Sequence, residues 1–307
     1  MLSPMHGIVT PLVSPLTAAG GLDLPGLERL VEHLVAGGVH GLFPLGTTAE
    51  AYALEPDVRR EVVRHTVRFA KGRLPVYVGV GDATAGRTLA HAEVAAELGA
   101  DYLVLISPAY FDYSTVERAR YFGDLAKRMP RPVMLYNNPG VTRNPITPSV
   151  LERLLHAPNI VGVKDSSGQA HQTLEVLNLI RGVTHFHFFE GIESMLAQSM
   201  TMGAHGGVAG GSNLFPRLFV NLYNAAREGD LARVRFLQPQ VMAVDSVYRQ
   251  ELGTGTPVGS YLKGMKFGLK TLGVCEEHLS FPFEPLGTEA QAAIRRIVAE
   301  IQASHLA

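Results

Sequence analysis

Short apolar runs alternate with amphipathic stretches along most of this 307-residue chain, and the alternation repeats about eight times. The apolar runs fall at residues 7–11, 39–45, 76–81, 102–106, 133–136, 160–164, 185–189 and 206–209. Between them, helical periodicity covers 24–36, 57–71, 84–98, 115–128, 147–155, 169–180, 193–201 and 216–227. Ser114-Thr115 and Asn144-Pro145 have the residue types that open helices. VGVGD, YLVLIS and NIVGVKD are apolar throughout rather than alternating, as strands buried on both faces are. Eight strand-then-helix units predict parallel strands closed into an α/β (β/α)8 TIM barrel. A doubly wound open sheet is the weaker alternative, because the count reaches eight and no dinucleotide fingerprint follows the first strand. Gly79-Val80-Gly81 supplies half of such a fingerprint, but Gly86 comes five residues later instead of three. Beyond the eighth unit the pattern turns all-helical, at 231–247, 261–272 and 288–302. The chain therefore divides into a barrel carrying the active site (1–229) and a C-terminal helical extension packed on it (230–307).

Composition narrows the function classes. Hydrophobic residues make up 46% and charged residues 18% of the chain, enough to bury a large core. A net charge of −1 gives no electrostatic reason to expect nucleic acid or an anionic membrane as partner. The single cysteine, Cys275, excludes an internal disulfide and a Cys-based zinc cluster and fits a reducing cytoplasm. The start, MLSPMHGIVT, lacks the charged beginning and apolar core of a signal peptide. Residues 194–216 contain no Asp, Glu, Lys or Arg, but five glycines with Gln198, His205 and Asn213 interrupt the apolar character a membrane span requires. A buried strand with close-packed turns is the expectation there.

In a βα barrel, functional side chains sit where strands run out into the following loops. The chain has six lysines, and only Lys164 closes an apolar strand. Lys71, Lys127, Lys263, Lys266 and Lys270 belong to helical patterns or their ends, where lysine is ordinarily solvated. At a barrel mouth, desolvation disfavours the charged form of Lys164. A neutral amine attacks a ketone to give an iminium that serves as an electron sink; the bland alternative pairs Lys164 with Asp165 at a surface rim. Gly46-Thr47-Thr48 follows the second strand and offers hydroxyls and amides to a small carboxylate, or forms an ordinary capped turn. Tyr136 closes the fifth strand, and its phenol can relay protons; Tyr110, after the fourth strand, could extend the relay. Either tyrosine also reads as a packed aromatic. His185 and His187 form a possible metal pair, with His205 the one further ligand candidate.

Taken in order, the GTT-x-E loop after the second strand, Tyr136-Asn137-Asn138-Pro139 and Gly162-Val163-Lys164-Asp165-Ser166-Ser167 resemble the dihydrodipicolinate synthase/N-acetylneuraminate lyase family. The likeness covers nearly the whole chain, from Val9-Thr10-Pro11 to GLKTLGV at 268–274. The resemblance implies that Lys164 forms an imine with pyruvate or a longer 2-keto acid, and that Tyr136 transfers protons. It implies that Thr47 and Thr48 hold the substrate carboxylate, with Thr47 also bonded to the tyrosine. Tyr110 matches a position that reaches a neighbouring subunit's relay. Val208 and Gly191 match substrate-facing positions, and no metal or organic cofactor is needed. It also implies a homotetramer, a dimer of dimers.

The departures shape the expected substrate. The synthases carry an arginine two positions after the proline of Tyr-Asn-x-Pro, gripping the second substrate's carboxylate; here that position is Val141, with Arg143 two residues on. Ala49 and Ala51 replace the usual Gly and Ser around the GTT loop. Losing a bidentate clamp predicts weaker selection of aspartate semialdehyde by a few kcal/mol. The expected activity is a lyase that joins or cleaves a pyruvate unit and an aldehyde, or dehydrates a 2-keto-3-deoxy acid. The rivals are a 4-hydroxy-tetrahydrodipicolinate synthase using Arg143, a non-catalytic keto-acid-binding paralogue, and a metal-dependent barrel enzyme using His185 and His187.

Overall fold

The computed structural model describes residues 5–251 and 255–304. Eight parallel strands make one sheet in the order β2-β1-β8-β7-β6-β5-β4-β3. They are β1 (Gly7–Pro11), β2 (Gly41–Phe43), β3 (Tyr77–Gly79), β4 (Tyr102–Ile106), β5 (Val133–Asn137), β6 (Ile160–Asp165), β7 (His187–Glu190) and β8 (Gly206–Gly207). The outer strands β2 and β3 meet through the parallel bridge Leu42↔Val76, supported by bonds from Leu42 N to the Pro75 carbonyl and Gly79 N to the Pro44 carbonyl, both 3.0 Å. That contact brings the sheet round to near closure as a barrel. Several predicted strands are trimmed at their ends, because the sequence pattern marks burial, and burial continues past the last ladder bond.

The barrel helices are α1 (Leu24–Ala36), α2 (Pro56–Ala70), α3 (Ala85–Glu97), α4 (Thr115–Ala126), α5 (Pro139–Thr142), α6 (Pro148–Leu154), α7 (Ala170–Leu179), α8 (Leu196–Thr201) and α9 (Pro216–Glu228). The C-terminal helices are α10 (Leu231–Val247), α11 (Pro257–Thr271) and α12 (Thr288–Ala303). Residues 1–4, 252–254 and 305–307 of the two units expected from the sequence lie outside the described residues. Ser114 opens α4 with a full capping box against Glu117. Asn144 opens no helix, since α6 begins at Pro148. Its side-chain amide donates instead to the Pro108 and Phe111 carbonyls (3.0 and 2.7 Å), while its Oδ1 accepts from Tyr113 N (2.8 Å). A short polar side chain that satisfies nearby backbone groups in this way competes with helix formation, and here it fixes the loop after β4.

The core has two layers. Ile8, Leu42, Leu103, Leu135, Val163 and Phe188 face the helices, whereas Val9, Phe43, Val104, Met134, Phe189 and Val208 fill the barrel interior. Neighbouring positions on one strand thus point to opposite, equally apolar layers, which is why the runs show no alternation. A Cβ on Gly79 would collide with the Leu45 carbonyl, so this glycine serves barrel packing rather than a dinucleotide loop. The uncharged stretch resolves into α8, the two-residue β8 and a 3-10 turn at Gly210–Asn213. Among the described residues no helix is long and apolar enough to cross a membrane.

Candidate active site

Lys164 and Tyr136 are register partners on β6 and β5. Partnered residues of parallel strands project to the same face, and both side chains enter the barrel mouth, 5% and 4% exposed. The Lys164 Nζ lies 4.1 Å from the centre of the Tyr136 ring and 5.2 Å from that of Phe43. Beneath them, Val104, Ile106, Met134, Phe189 and Val208 form a water-poor floor. Asp165 takes no part, since it points to the other side of the sheet. It accepts from Asn137 Nδ2 (2.9 Å), Ser167 N (2.8 Å) and Gln172 Nε2 (3.2 Å). The surface pairing of Lys164 with Asp165 is therefore replaced by two separate buried environments.

The Tyr136 hydroxyl meets Thr47 Oγ1 at 3.3 Å and accepts from Asn138 Nδ2 at 3.0 Å. Burial alone would push this phenol's pKa up. The charge of Lys164 and the hydrogen bonds from Thr47, Asn138 and Lys164 together outweigh that, and the net displacement is downward. A phenol held this way gives up its proton more readily than a free one, and it lies next to an amine placed to form an imine.

Thr47 and Thr48 lie in a 3-10 turn, Thr47–Ala49, whose cap Glu50 has φ +57°. Thr48 Oγ1 meets the Tyr261 hydroxyl of α11 at 3.0 Å. The Glu50 carboxylate is buried against Lys266 Nζ at 2.6 Å and accepts from Ser280 N and Oγ at 2.7 and 2.8 Å. Lys266 is thus not the solvated helical lysine expected from the sequence; its side chain is 1% exposed. Its flanks, Met265 and Phe267, are buried and apolar, a local signal that this lysine faces inward.

The structure adds Tyr261 and Glu193, which pattern reading missed. Glu193 opens the short turn before α8; its Oε1 accepts from Gly211 N at 2.6 Å, and its Oε2 is buried without a hydrogen-bond partner. Burial, with the charge of Asp245, pushes this carboxyl up to about 7, against the Gly211 amide and Lys164. No short motif marks either residue, because each enters the mouth through a loop or a distant helix. Gly191 N donates to the Asp165 carbonyl at 2.7 Å, and a Cβ there would overlap that carbonyl and Ser166. Val208 is buried in the barrel interior.

Tyr110 stands apart from this group: it is 84% exposed at φ +81°, its ring edge-on to exposed Phe111. Arg143 bonds Asp112 at 3.3 Å on the surface, while Val141 lines a cavity of about 360 Å³ beside Thr47. Tyr52, Ile106, Val258 and Phe283 line the same cavity, which leaves it largely apolar. The histidine pair lies elsewhere. The seventh strand starts at His187, and His187 and His185 contact the backbone carbonyls of Val161 and Leu155 at 3.1 and 2.9 Å. His205 Nδ1 accepts from Phe188 N. Among the described residues, no group of three or more His, Cys, Asp or Glu side chains is placed to hold a metal ion.

The model of the dihydrodipicolinate synthetase family matches residues 4–301. A dihydrodipicolinate synthase from Bacteroides thetaiotaomicron is 39% identical with a TM-score of 0.92, covering 98% of this chain and 100% of its own. YagE, a prophage protein of the dihydrodipicolinic acid synthase family from E. coli K12, solved in complex with pyruvate, is 27% identical with a TM-score of 0.90, covering 98% and 99%. The E. coli K12 protein named Probable 2-dehydro-3-deoxy-D-pentonate aldolase YjhH is 31% identical, covering 92% of each chain.

Proposed function

The chain belongs to the dihydrodipicolinate synthetase family, and on that premise we propose that Lys164 is the amine through which it captures pyruvate. The enzyme is a pyruvate-dependent lyase of the class I aldolase type. The amine attacks the keto carbon, and loss of water gives an iminium. That iminium accepts the electron pair released when a C3–C4 bond breaks, or yields the enamine that attacks an aldehyde. Tyr136 moves the protons these steps require, and Thr47 and Thr48 hold the carboxylate. The observation that carries this reading is the pairing of a buried amine and a buried phenol on partnered strand positions, with Thr47 bonded to the phenol.

The acceptor is an aldehyde, or the leaving half of a 2-keto-3-deoxy acid. The mostly apolar cavity beside Thr47 gives it room. The synthase reading with aspartate semialdehyde is weaker, because Val141 replaces the carboxylate clamp and Arg143 is engaged by Asp112. A homo-oligomer, a dimer of dimers, is part of the proposal; the exposed pair Tyr110 and Phe111 supports it as a surface for a second copy. A cytoplasmic setting is also part of it, supported by the free thiol of Cys275.

Borohydride reduction in the presence of pyruvate, followed by peptide mass mapping, tests the reading. A single reduced adduct on the peptide containing Lys164 is expected. An adduct elsewhere, or none, counts against it, and saturable pyruvate binding without adduct or turnover would favour the non-catalytic paralogue.

A further inference from the structure

We infer that Tyr261 and Lys266, both on α11, are positioning residues that hold the Thr47–Thr48 turn in its carboxylate-binding shape. The inference rests on the proposed role of that turn and extends the working site into the C-terminal helices.

The turn does not hold itself. Leu45 and Glu50, on either side of it, have φ of +60° and +57°. Non-glycine residues adopt that region reluctantly, so outside contacts must fix it. Within the barrel, Ser14 Oγ donates to the Ala49 carbonyl at 2.9 Å and Arg59 donates to the Ala51 carbonyl at 2.8 Å. Neither reaches the side chains that would face a substrate. Thr47 is met by Tyr136 on β5, but the rest of the turn is held from α11: Tyr261 meets the Thr48 hydroxyl at 3.0 Å, and Lys266 lies 2.6 Å from the Glu50 carboxylate. Five residues apart on a helix is a separation of roughly 7.5 Å, so one rigid element grips the turn on both sides of Ala49. Lys266 is itself anchored, donating to the His278 carbonyl at 2.5 Å, and the same short segment supplies Ser280 to Glu50.

A buried ion pair is a poor device for stability alone, since well-packed apolar residues of similar volume do as well or better. Its value here is directional. Glu50 Oε2 accepts from Ser280 N and Oγ while Oε1 faces the Lys266 ammonium, so the turn cannot shift without disrupting these contacts.

The acceptor aldehyde is not needed for the test, because the enamine step exchanges the methyl protons of pyruvate with solvent. Deuterium incorporation into pyruvate, followed by NMR, gives a maximal rate and a half-saturating concentration; borohydride trapping gives a second half-saturation value. The variants are Tyr261→Phe and the double variant Glu50→Gln with Lys266→Met, which leaves no unpaired buried charge. Half-saturating pyruvate should rise by about threefold or more in Tyr261→Phe and by roughly tenfold in the double variant, with maximal exchange reduced far less. Half-saturation depends on the shape of the site and not on how much folded protein is present. Wild-type half-saturation with only a lowered melting temperature would therefore overturn the inference. If the double variant fails to fold, Tyr261→Phe decides alone. Wild-type enzyme that pyruvate and borohydride leave unmodified would instead remove the Schiff-base reading, and this inference with it.

Discussion

Tyr136 and Lys164 occupy the same rung of adjacent parallel strands, and the lysine nitrogen sits 4.1 Å from the centre of the phenol ring. The pairing follows from the strand register alone, so no loop has to move for amine and phenol to meet. Sites built on regular elements hold their geometry better than sites built on loops.

Replacing Lys164 by Ala should abolish the borohydride adduct and lower turnover by at least about a thousandfold, as loss of a covalent nucleophile does. The fold should survive, because the barrel packing around Val163 and Phe189 is untouched. Far-ultraviolet circular dichroism and the melting curve check the fold, and mass mapping checks the adduct. Near-normal turnover in this variant would remove the mechanism.

Tyr136→Phe keeps the ring that packs under the amine and deletes only the hydroxyl. Exchange of the pyruvate methyl protons should fall by about 100- to 10,000-fold, the usual range for a general acid–base, while the Lys164 adduct still forms. The pH profile carries a second signature. The Tyr136 pKa is displaced downward, so the wild-type rate limb that follows phenolate formation should lie below pH 10 and vanish in the Phe variant. An unchanged limb would assign it to another group.

How much of this was legible in the chain differs from residue to residue. The placement of Lys164 and Tyr136 at the barrel mouth was, since each ends an apolar run and strand ends define that mouth. The strand and helix order was legible for the same reason: α1, α10, β1 and β4 fall at the positions the periodicity predicts. Lys266 is the opposite case: a lysine within helical periodicity is ordinarily solvated, its apolar flanks are the one local sign otherwise, and its partner Glu50 lies across the fold. Tyr261 and Glu193 depend on how α11 and the seventh strand's loop converge, and such long-range placement leaves no periodic trace. The role of Asn144 turned on backbone groups more than thirty residues away in the loop after β4.

Val141→Arg should restore a carboxylate clamp. Val141 lines the cavity beside Thr47, and Arg143 is held on the surface by Asp112. A charge-assisted bond contributes about 1.5–3 kcal/mol, so kcat/KM for aspartate semialdehyde with pyruvate should rise by roughly tenfold to a hundredfold. Turnover of uncharged aldehydes should not improve. Efficient use of aspartate semialdehyde by the wild type, unaffected by this change, would revive the dihydrodipicolinate synthase alternative.

Glu190 makes stability depend on pH. It is 2% exposed at the end of β7, accepting from Ser199 Oγ at 2.6 Å and Ile192 N at 2.8 Å. Burial pushes its carboxyl up to about 7; the bonds from Ser199 and Ile192 oppose this and the charge of Asp165 adds to it. In an unfolded chain the group titrates near 4.5. Below that value both states are protonated and the group has no effect on stability. Between 4.5 and about 7 the folded state binds the extra proton, so stability falls as pH rises, and the full penalty is present above about 7. A displacement of this size corresponds to about 3 kcal/mol. Glu190→Gln keeps the shape and removes the titration, so it should be near neutral at pH 5 and more stable than wild type at pH 8 by up to that amount. Urea unfolding at the two pH values measures it, and an equal effect at both would show that the buried carboxyl is not the cause.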